Sequence, residues 1–538
     1  MGKAAGTSIQ PRRRPRRLVQ RAGAEAPAAL AALIPTDSRW GDYRSLYYIE
    51  EGETKLRPRA TPHRSWTLVA EVCWQAQGCG GPEAPIPKAK MSASKQGANN
   101  PMHGRASHNA KAVYLYELKA KALIVLQSFP NTLSKQVTLG VTLANLALSL
   151  VLWGEFDGNS GEYQFVQELS YVTEWQIKLG VDGLSLLFVI LTCFIIPCSI
   201  LASWALPTPR TYHELLQSWP LIEVVRVRLR GIPTLLDIPR TSHYLMGLLL
   251  VDRNKVRASY LLFLYTLSGS LFMLLAILSI YMAAGTTDYL LLTTGEFTSS
   301  VQYALWLGVF LALAIKSPII PLHIWLPLAH SEAPLAGSIL LAGIVLKMAT
   351  YGFLRILVTL LPEASEFFTP LVYTLCLISI LYSCLSTLRQ SNLKSIIAYS
   401  SIGHMAIAIL GVFSNTTLGI EGGLLLGFAH GLVSPALFVC VGIIYERWHT
   451  LIILYFRGLT TIMPLFALLF FIFCLANMGV PLTANFLGEF LSLTGGFNRN
   501  PVLVGLAASS MVLVAGYSIW LYNRVCFGSL SPYLRATL

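Results

Sequence analysis

WLGVFLALAIKSPIIPLHIWLPLAHSEAPLAGSILLAGIVLKMATYGFLR, from Trp306 to Arg355, decides how the rest of the chain is read. Two long apolar runs are joined by a link punctuated with proline at 318, 321 and 327, and the runs carry Lys316 and Lys347. A charged side chain at mid-membrane depth costs at least about 2.5–3.5 kcal/mol on insertion scales, so it calls for a physical reason. Proline withdraws backbone donors and ends a helix, here just after Lys316. Inside a membrane, such a break is tolerated only where protein or a water-filled cavity satisfies the freed groups. A buried lysine beside a broken helix is one way a membrane protein builds an ion or proton site.

Composition supports this frame. The chain has 538 residues, 54% of them hydrophobic and only 12% charged, which marks a polytopic membrane protein. Its net charge of +13 is not a nucleic-acid signature, because most of the basic excess lies in the first 110 residues. Lys/Arg-rich loops are also normal on the cytoplasmic or matrix side of a membrane. The nine cysteines are scattered and mostly sit in apolar runs, without metal-ligand spacing or a disulfide framework.

Residues 1–110 differ in kind from the remainder. SIQPRRRPRRLVQRAGAEAPAALAALIP is Arg-rich and has no acid before Glu25. That composition is like a mitochondrial transit peptide, while Pro11 and Pro15 oppose a clean amphipathic helix. The alternative is a disordered basic leader or a misassigned start. Val113–Phe129 is interrupted by Glu117, Lys119 and Lys121 and reads as interfacial. Spans of the roughly 20 residues needed to cross a bilayer are expected at Val137–Trp153, Val181–Leu206, Ala258–Ala284, Tyr303–Leu326, Ala336–Val358, Pro370–Leu388, Ser395–Phe413, Gly422–Tyr445 and Val502–Tyr522. Leu459–Asn477 and Phe486–Phe497 form one further crossing, broken at GVPLTAN. The expected segments are the leader 1–110, N-terminal helices 111–206, a charged insert 207–243, a core 244–530 and a tail 531–538. The insert holds five arginines, three acids and five prolines, and cannot span.

Loop charge alternates. The loops 154–175, 285–300, 359–368 and 414–421 carry the acids, while 207–257 and 389–394 are basic. Single crossings fit this alternation, with the basic loops on the cytoplasmic or matrix side. The two broken segments then run in opposite directions, which points to inverted repeats with a midplane site. The expected fold is therefore all-α: a polytopic bundle of two inverted repeats, each with a discontinuous helix, behind a disordered basic extension.

Lys316, Lys347, Lys394, His404, His430 and Glu489 are the ionisable residues within or at the ends of the apolar runs. Burial drives such groups toward their neutral forms, imidazole titrates near neutral pH unaided, and a row of them with water makes a proton relay. Lys394 has the alternative of an interfacial anchor, and either histidine that of a carbonyl-bonded core residue. His323, His330 and Glu332 lie near a helix end and read as caps or structural pairs. GxGxxG, GxxxxGK[ST], CxxC pairs and HExxH are all missing from the sequence, so nothing in it is fitted to hold a nicotinamide, flavin, iron–sulfur cluster or ATP.

IKSPIIPLHIWLPLAHSEAPLAGSILLAGIVLKMATYGFLR, TLRQSNLKSIIAYSSIGHMAIAILG, AHGLVSPALFVCVGIIYERW, NFLGEFLSL and YSIWLYNR together resemble the chain 4 family of mitochondrial NADH:ubiquinone oxidoreductase, respiratory complex I, in its land-plant or green-algal form. The resemblance runs over about Asn131–Leu206 and Met246–Leu530. It implies an antiporter-like, proton-pumping subunit of the inner mitochondrial membrane that works beside sister antiporter-like subunits and other membrane-arm chains. NADH, FMN, iron–sulfur clusters and ubiquinone would be handled elsewhere in that complex, and this chain would hold no cofactor. Lys316 and Lys347 match the lysines of the first broken helix and the helix after it. His404 and His430 match the relay histidines, and Glu489 matches the glutamate of the second broken helix. An Mrp-type sodium/proton antiporter subunit shares the lysines and the broken helices, but not the wording of these motifs.

Departures accompany the resemblance. The family pairs its central lysine with a glutamate from a helix that here corresponds to 207–243, where Glu223 in WPLIEVVRV is the nearest candidate. The family's first helix is degraded, its last is absent, and WLPEAH or WLPDAH reads WLPLAH with Leu328. Three nearby arginines make Glu223 a poor intramembrane partner, and without a carboxylate a buried Lys316 loses what favours its charged form. Pumping by this chain is therefore expected to be impaired or absent. A frameshifted, rearranged or mis-spliced gene would account for the leader and the insert together.

Overall fold

The structure is a computed structural model, and it describes residues 131–172, 175–204, 253–295 and 297–535. The expectations for the leader, for Val113–Phe129 and for the insert 207–243 lie outside these residues.

Among the described residues, nine helices are long and apolar enough to cross a membrane. They are α1 (Asn131–Glu155), α2 (Gly183–Ala202), α3 (Arg253–Ala284), α4 (Ser299–Lys316), α6 (Leu335–Val358), α7 (Pro362–Arg389), α8 (Leu393–Val412), α9 (Thr417–Trp448) and α12 (Pro501–Cys526). Among the shorter helices, α5 (Trp325–Glu332), α10 (Pro464–Asn477) and α11 (Ala484–Arg499) bear on the interior. The helix pairs α4/α5 and α10/α11 are the two discontinuous crossings expected from the prolines after Lys316 and from the interruption at GVPLTAN. Each spanning helix satisfies its own backbone, as hydrocarbon requires, and apolar side chains such as Leu275 and Met282 face outward.

One element departs from an all-α fold. Gln164–Val172 (β1) and Trp175–Val181 (β2) form an antiparallel hairpin between α1 and α2, with Gln167 opposite Leu179. The sequence reading gives 154–175 only as an acidic loop. Short alternating runs such as QFVQELSYV and WQIKLGV pair with each other outside the spans, where water can solvate their free edges.

Hydrogen bonds fix the two ends of the bundle. At one end, Leu393 N–H donates to Leu451 O, Ile453 N–H to Ser391 O, and Thr460 Oγ1 to Cys526 O. Lys394, His449, Arg457 and Arg524 mark this as the basic end. At the other, Ser299 Oγ donates to Glu363 Oε2 at 2.8 Å, Arg499 pairs with Glu366 at 2.9 Å, and Arg355 pairs with Asp182. Followed between these ends, α4/α5 runs from the acidic end to the basic end, and α10/α11 runs back. That is the opposed direction the loop charges imply.

Close backbone approaches hold the site helices. A Cβ on Gly422 would lie 2.4 Å from Ser492 N, one on Gly488 2.6 Å from Leu426 N, and one on Gly495 2.4 Å from Gly419 N. Only glycine lets α9 and α11 meet this closely, as small residues do at membrane-helix interfaces. Trp306 stacks on Phe310 and Phe368 at 4.5 Å each and donates Nε1–H to Ser365 Oγ, joining α4 to α7. Among the nine spans α8 is the most enclosed, with nearly all of its side chains buried.

Candidate functional site

Both breaks are built to survive in a membrane. In the first, Ser317 N–H and Oγ donate to Leu313 O, Ile319 N–H to Ala314 O, and Ile320 N–H to Ser379 Oγ at 3.0 Å. Trp325 Nε1–H reaches back from α5 to Ile315 O at 2.9 Å. Lys316 ends α4 at this break and is 2% exposed. In the second, Gly479 takes φ +67°, and Val480 N–H still finds Leu475 O. Thr483 Oγ1 then caps α11 by accepting from Phe486 N–H. Glu489 lies one and a half turns into α11, with Oε2 close over Gly479, where a Cβ would stand only 2.9 Å away.

Lys347, His430, His404 and Glu489 come from α6, α9, α8 and α11 and meet in the interior, none more than 1% exposed. Lys347 Nζ donates to Ala342 O at 2.6 Å and lies 2.8 Å from His430 Nδ1. Ala342 belongs to a π-helical turn, Leu341–Val345, and a second π segment spans Phe353–Val358. Such turns inside membrane helices are common at functional sites. His404 Nδ1 lies 2.7 Å from Glu489 Oε1. The two histidine rings are tilted, with centroids 5.4 Å apart. Their Nε2 atoms are buried and have no hydrogen-bond partner among the described residues. Ser401 and Ser434 hydroxyls, 3.1 Å apart, tie α8 to α9 beside the rings.

Lys394 is also buried, at 5% exposure, so it does not snorkel to the surface as an interfacial anchor would. Its Nζ donates to Ala333 O at 2.7 Å, the carbonyl that closes α5, with the Tyr445 ring 6.0 Å away. The structure thus links Lys394 to the first broken helix rather than directly to the histidine row. His330, read from sequence as a helix-end residue, has 0% exposure and stacks on Phe438 at 4.5 Å. It lies within electrostatic range of Lys394, Lys347 and His430, and neither ring nitrogen is bonded among the described residues. Its position in AHSEAP, after a break, was the available signal. His323 stays near Tyr382 and Tyr399. Glu223 and the rest of 205–252 lie outside the described residues, and so does the basis for expecting impaired pumping.

A second charged cluster, at the acidic end, was missed in the sequence. Arg355 ion-pairs with Asp182, donates to Tyr163 Oη at 3.1 Å and lies 5.4–5.6 Å from the rings of Tyr163, Tyr289 and Tyr351. Burial works to raise the Asp182 carboxyl, but the Arg355 guanidinium and Ser185 outweigh it and hold the group below its usual range. Asp182 also caps α2 in a reciprocal box with Ser185. The cluster fastens the hairpin to the end of α6, the helix that carries Lys347.

Comparison with known proteins bears on what this arrangement does. The family described as NADH:quinone oxidoreductase/Mrp antiporter, TM, matches residues 240–514. NADH-ubiquinone oxidoreductase chain 4 of Mycosarcoma maydis is 50% identical over 414 residues, which cover 75% of this chain and 85% of the relative. Chain 4 of Arabidopsis thaliana is 46% identical over 422 residues, with 76% and 85% covered. Among solved structures, a chain of respiratory complex I from Thermus thermophilus with bound NADH superimposes with a TM-score of 0.69 at 28% identity, covering 80% of this chain and 92% of its own. The Mrp complex of a Dietzia species gives 0.70 at 20% identity, with 79% and 82% covered, a likeness of fold alone.

Proposed function

The chain belongs to the NADH:quinone oxidoreductase/Mrp antiporter membrane family, and within it to the NADH-ubiquinone oxidoreductase chain 4 proteins; on that premise we propose that its buried side chains carry protons across the inner mitochondrial membrane. The observation that carries this reading is the row Lys347–His430 and His404–Glu489, closed at 2.8 and 2.7 Å and sealed from solvent.

A proton crossing the row starts on the Lys347 ammonium, which donates to His430 Nδ1. The His430 ring releases a proton from Nε2 toward His404 Nε2, across the gap between the tilted rings. His404 then passes its Nδ1 proton to Glu489 Oε1. Each ring ends neutral with its tautomer exchanged, so the row must reset before the next transfer. This reset gives an external trigger something to control. His330 extends the row from Lys347 toward Lys394, and Lys316 lies at the break of α4/α5, the crossing that ends at Lys394's carbonyl partner.

The chain is a membrane subunit of NADH:ubiquinone oxidoreductase. We assign the electron path of NADH, flavin, iron–sulfur clusters and ubiquinone to other subunits of that assembly. Sister antiporter-like subunits are its neighbours in the membrane arm, and the basic end of the bundle faces the matrix. The identities of 50% and 46% to chain 4 proteins favour this reading over an Mrp-type sodium/proton antiporter subunit.

Glu489→Gln tests the relay. The amide keeps an acceptor for His404 Nδ1 but cannot take up a proton, so proton translocation per electron should fall while the complex still assembles. An unchanged ratio removes Glu489 from the path.

A further inference from the structure

A groove of about 1030 Å³ is cut between α2, α9 and α10. Its floor is residues 431–447 of α9, and its walls are residues 194–202 of α2 and 464–473 of α10. The small residues Gly431, Pro435 and Ala436 deepen the floor. Phe194, Leu201, Ile443, Leu465 and Leu469 along the groove are exposed, so it opens toward the surroundings of the bundle. Arg447 is the only charged side chain lining it among the described residues, and no lining residue carries a hydroxyl. The Arg447 guanidinium donates to Met463 Sδ and makes no ion pair among the described residues. A thioether is a weak, uncharged acceptor, so the cation at the mouth of the groove is poorly matched.

The groove has a polar end and an apolar end. Arg447 sits in the last turn of α9, at the basic end of the bundle, where α2 finishes and α10 begins. At about 1.5 Å of rise per residue, 431–447 spans roughly 24 Å, against roughly 15 Å for half of the hydrocarbon layer. The groove therefore runs from headgroup level at the basic end to the middle of the membrane. Its deep end abuts the proposed relay: Gly431 follows His430, and a Cβ on Gly431 would stand 3.3 Å from Lys347 Cε.

We propose that this groove binds an anionic phospholipid from the leaflet at the basic end, its phosphate on Arg447 and an acyl chain lying along α9 as far as Gly431. The charge pattern selects this occupant. A guanidinium takes a phosphate through paired, charge-assisted hydrogen bonds. Basic positions between membrane helices on the cytoplasmic or matrix side are suited to acidic headgroups. An apolar partner helix would fill the same space but would leave Arg447 facing hydrocarbon with a thioether as its acceptor. Water is a poor filler, because a cleft with no charged or hydroxyl side chain below Arg447 gives it too few partners. Hydrocarbon at the deep end keeps water from the wall behind Lys347, which matters to function only on the proton-carrying reading above; the binding site itself stands apart from that reading.

The test uses the intact membrane complex in vesicles that contain a phosphatidylglycerol with a photoreactive diazirine midway along one acyl chain. Illumination should label peptides covering 194–202 and 431–447, and excess phosphatidylglycerol should compete where phosphatidylcholine does not. In Arg447→Gln the labelling should fall roughly tenfold, the size of one charge-assisted phosphate contact, and Arg447→Lys should recover part of it. Ala436→Trp fills the floor, leaves Arg447 in place and should abolish the label. No label in the wild-type groove overturns the proposal, as does equal labelling in Arg447→Gln or equal competition by phosphatidylcholine. A cryo-electron-microscopy map showing polypeptide in the groove, whether residues 205–252 of this chain or a helix of another subunit, overturns it too. Labelling needs no turnover, so a Lys347→Met complex with an unchanged proton ratio would sink the proton-carrying reading and leave this site standing.

Discussion

Gly479 is where the backbone meets the proposed relay, and replacing it should damage both in amounts that can be separated. The residue takes φ +67° in the break between α10 and α11, a conformation that costs an L-residue roughly 1–2 kcal/mol. Its missing Cβ would stand 2.9 Å from Glu489 Oε2, closer than a methyl and a carboxylate oxygen can sit. Gly479→Ala therefore has to push the carboxylate away, and the 2.7 Å contact with His404 is the bond that gives. A hydrogen bond to a charged group contributes about 1.5–3 kcal/mol, so the substitution should cost about 2.5–5 kcal/mol. In a Glu489→Ala background the oxygen is absent and only the backbone cost of about 1–2 kcal/mol is left. The difference of about 1.5–3 kcal/mol is a coupling of the size contacting residues show. Thermal-inactivation midpoints of the intact complex for the two single variants and the double variant would measure it, with proton translocation recorded alongside. If Gly479→Ala costs the same in both backgrounds, the carboxylate is not held over Gly479 and the geometry of the relay's end is wrong.

Other consequences follow from separate parts of the molecule. His330→Phe keeps the flat stack on Phe438 and nearly the same volume, a kind of swap that usually costs under about 1.5 kcal/mol; assembly should be retained while proton translocation per electron falls, and an unaffected ratio would leave His330 a core residue only. Asp182→Asn should loosen the β1–β2 hairpin by about 1.5–3 kcal/mol through loss of the charge-assisted bond to Arg355, seen as faster hydrogen exchange over 164–181. Because the folded Asp182 is held below its unfolded value of about 3.9, the ion pair contributes fully above that pH and is lost as pH falls through the depressed value. Exchange in the wild type should therefore approach that of Asp182→Asn only in acid, and equal exchange at neutral pH would show that the pair does not hold the hairpin.

The parts that sequence made legible are those where hydrocarbon makes a residue conspicuous. Lys316, Lys347 and Glu489 stand out because a charge in an apolar run is costly, and the prolines at 318 and 321 and the GVPLTAN segment mark both breaks. Neutral polar groups leave no such mark, since serine, asparagine and tyrosine are ordinary in membrane helices, so the Ser401–Ser434 link between α8 and α9 has no signal in the sequence. The π turns of α6 change which carbonyl pairs with which amide without requiring a particular residue, so no residue type marks Ala342 O as the carbonyl turned toward Lys347. The hairpin has little signal because its two runs are only nine and seven residues long and carry charges that dominate the segment. His330 and Lys394 were placed at helix ends correctly, but a helix end inside a membrane is interior, and both are buried.

The most direct test of the account is the number of protons moved per electron by the intact complex carrying Lys347→Met, measured in sealed vesicles. Methionine keeps the length and apolar stem of the lysine and removes the nitrogen that meets His430 Nδ1 at 2.8 Å. The account predicts a complex that assembles and oxidises NADH when uncoupled, but moves fewer protons per electron than the wild type. A variant with the wild-type ratio would contradict it, because protons would then be crossing without the row that Lys347 begins.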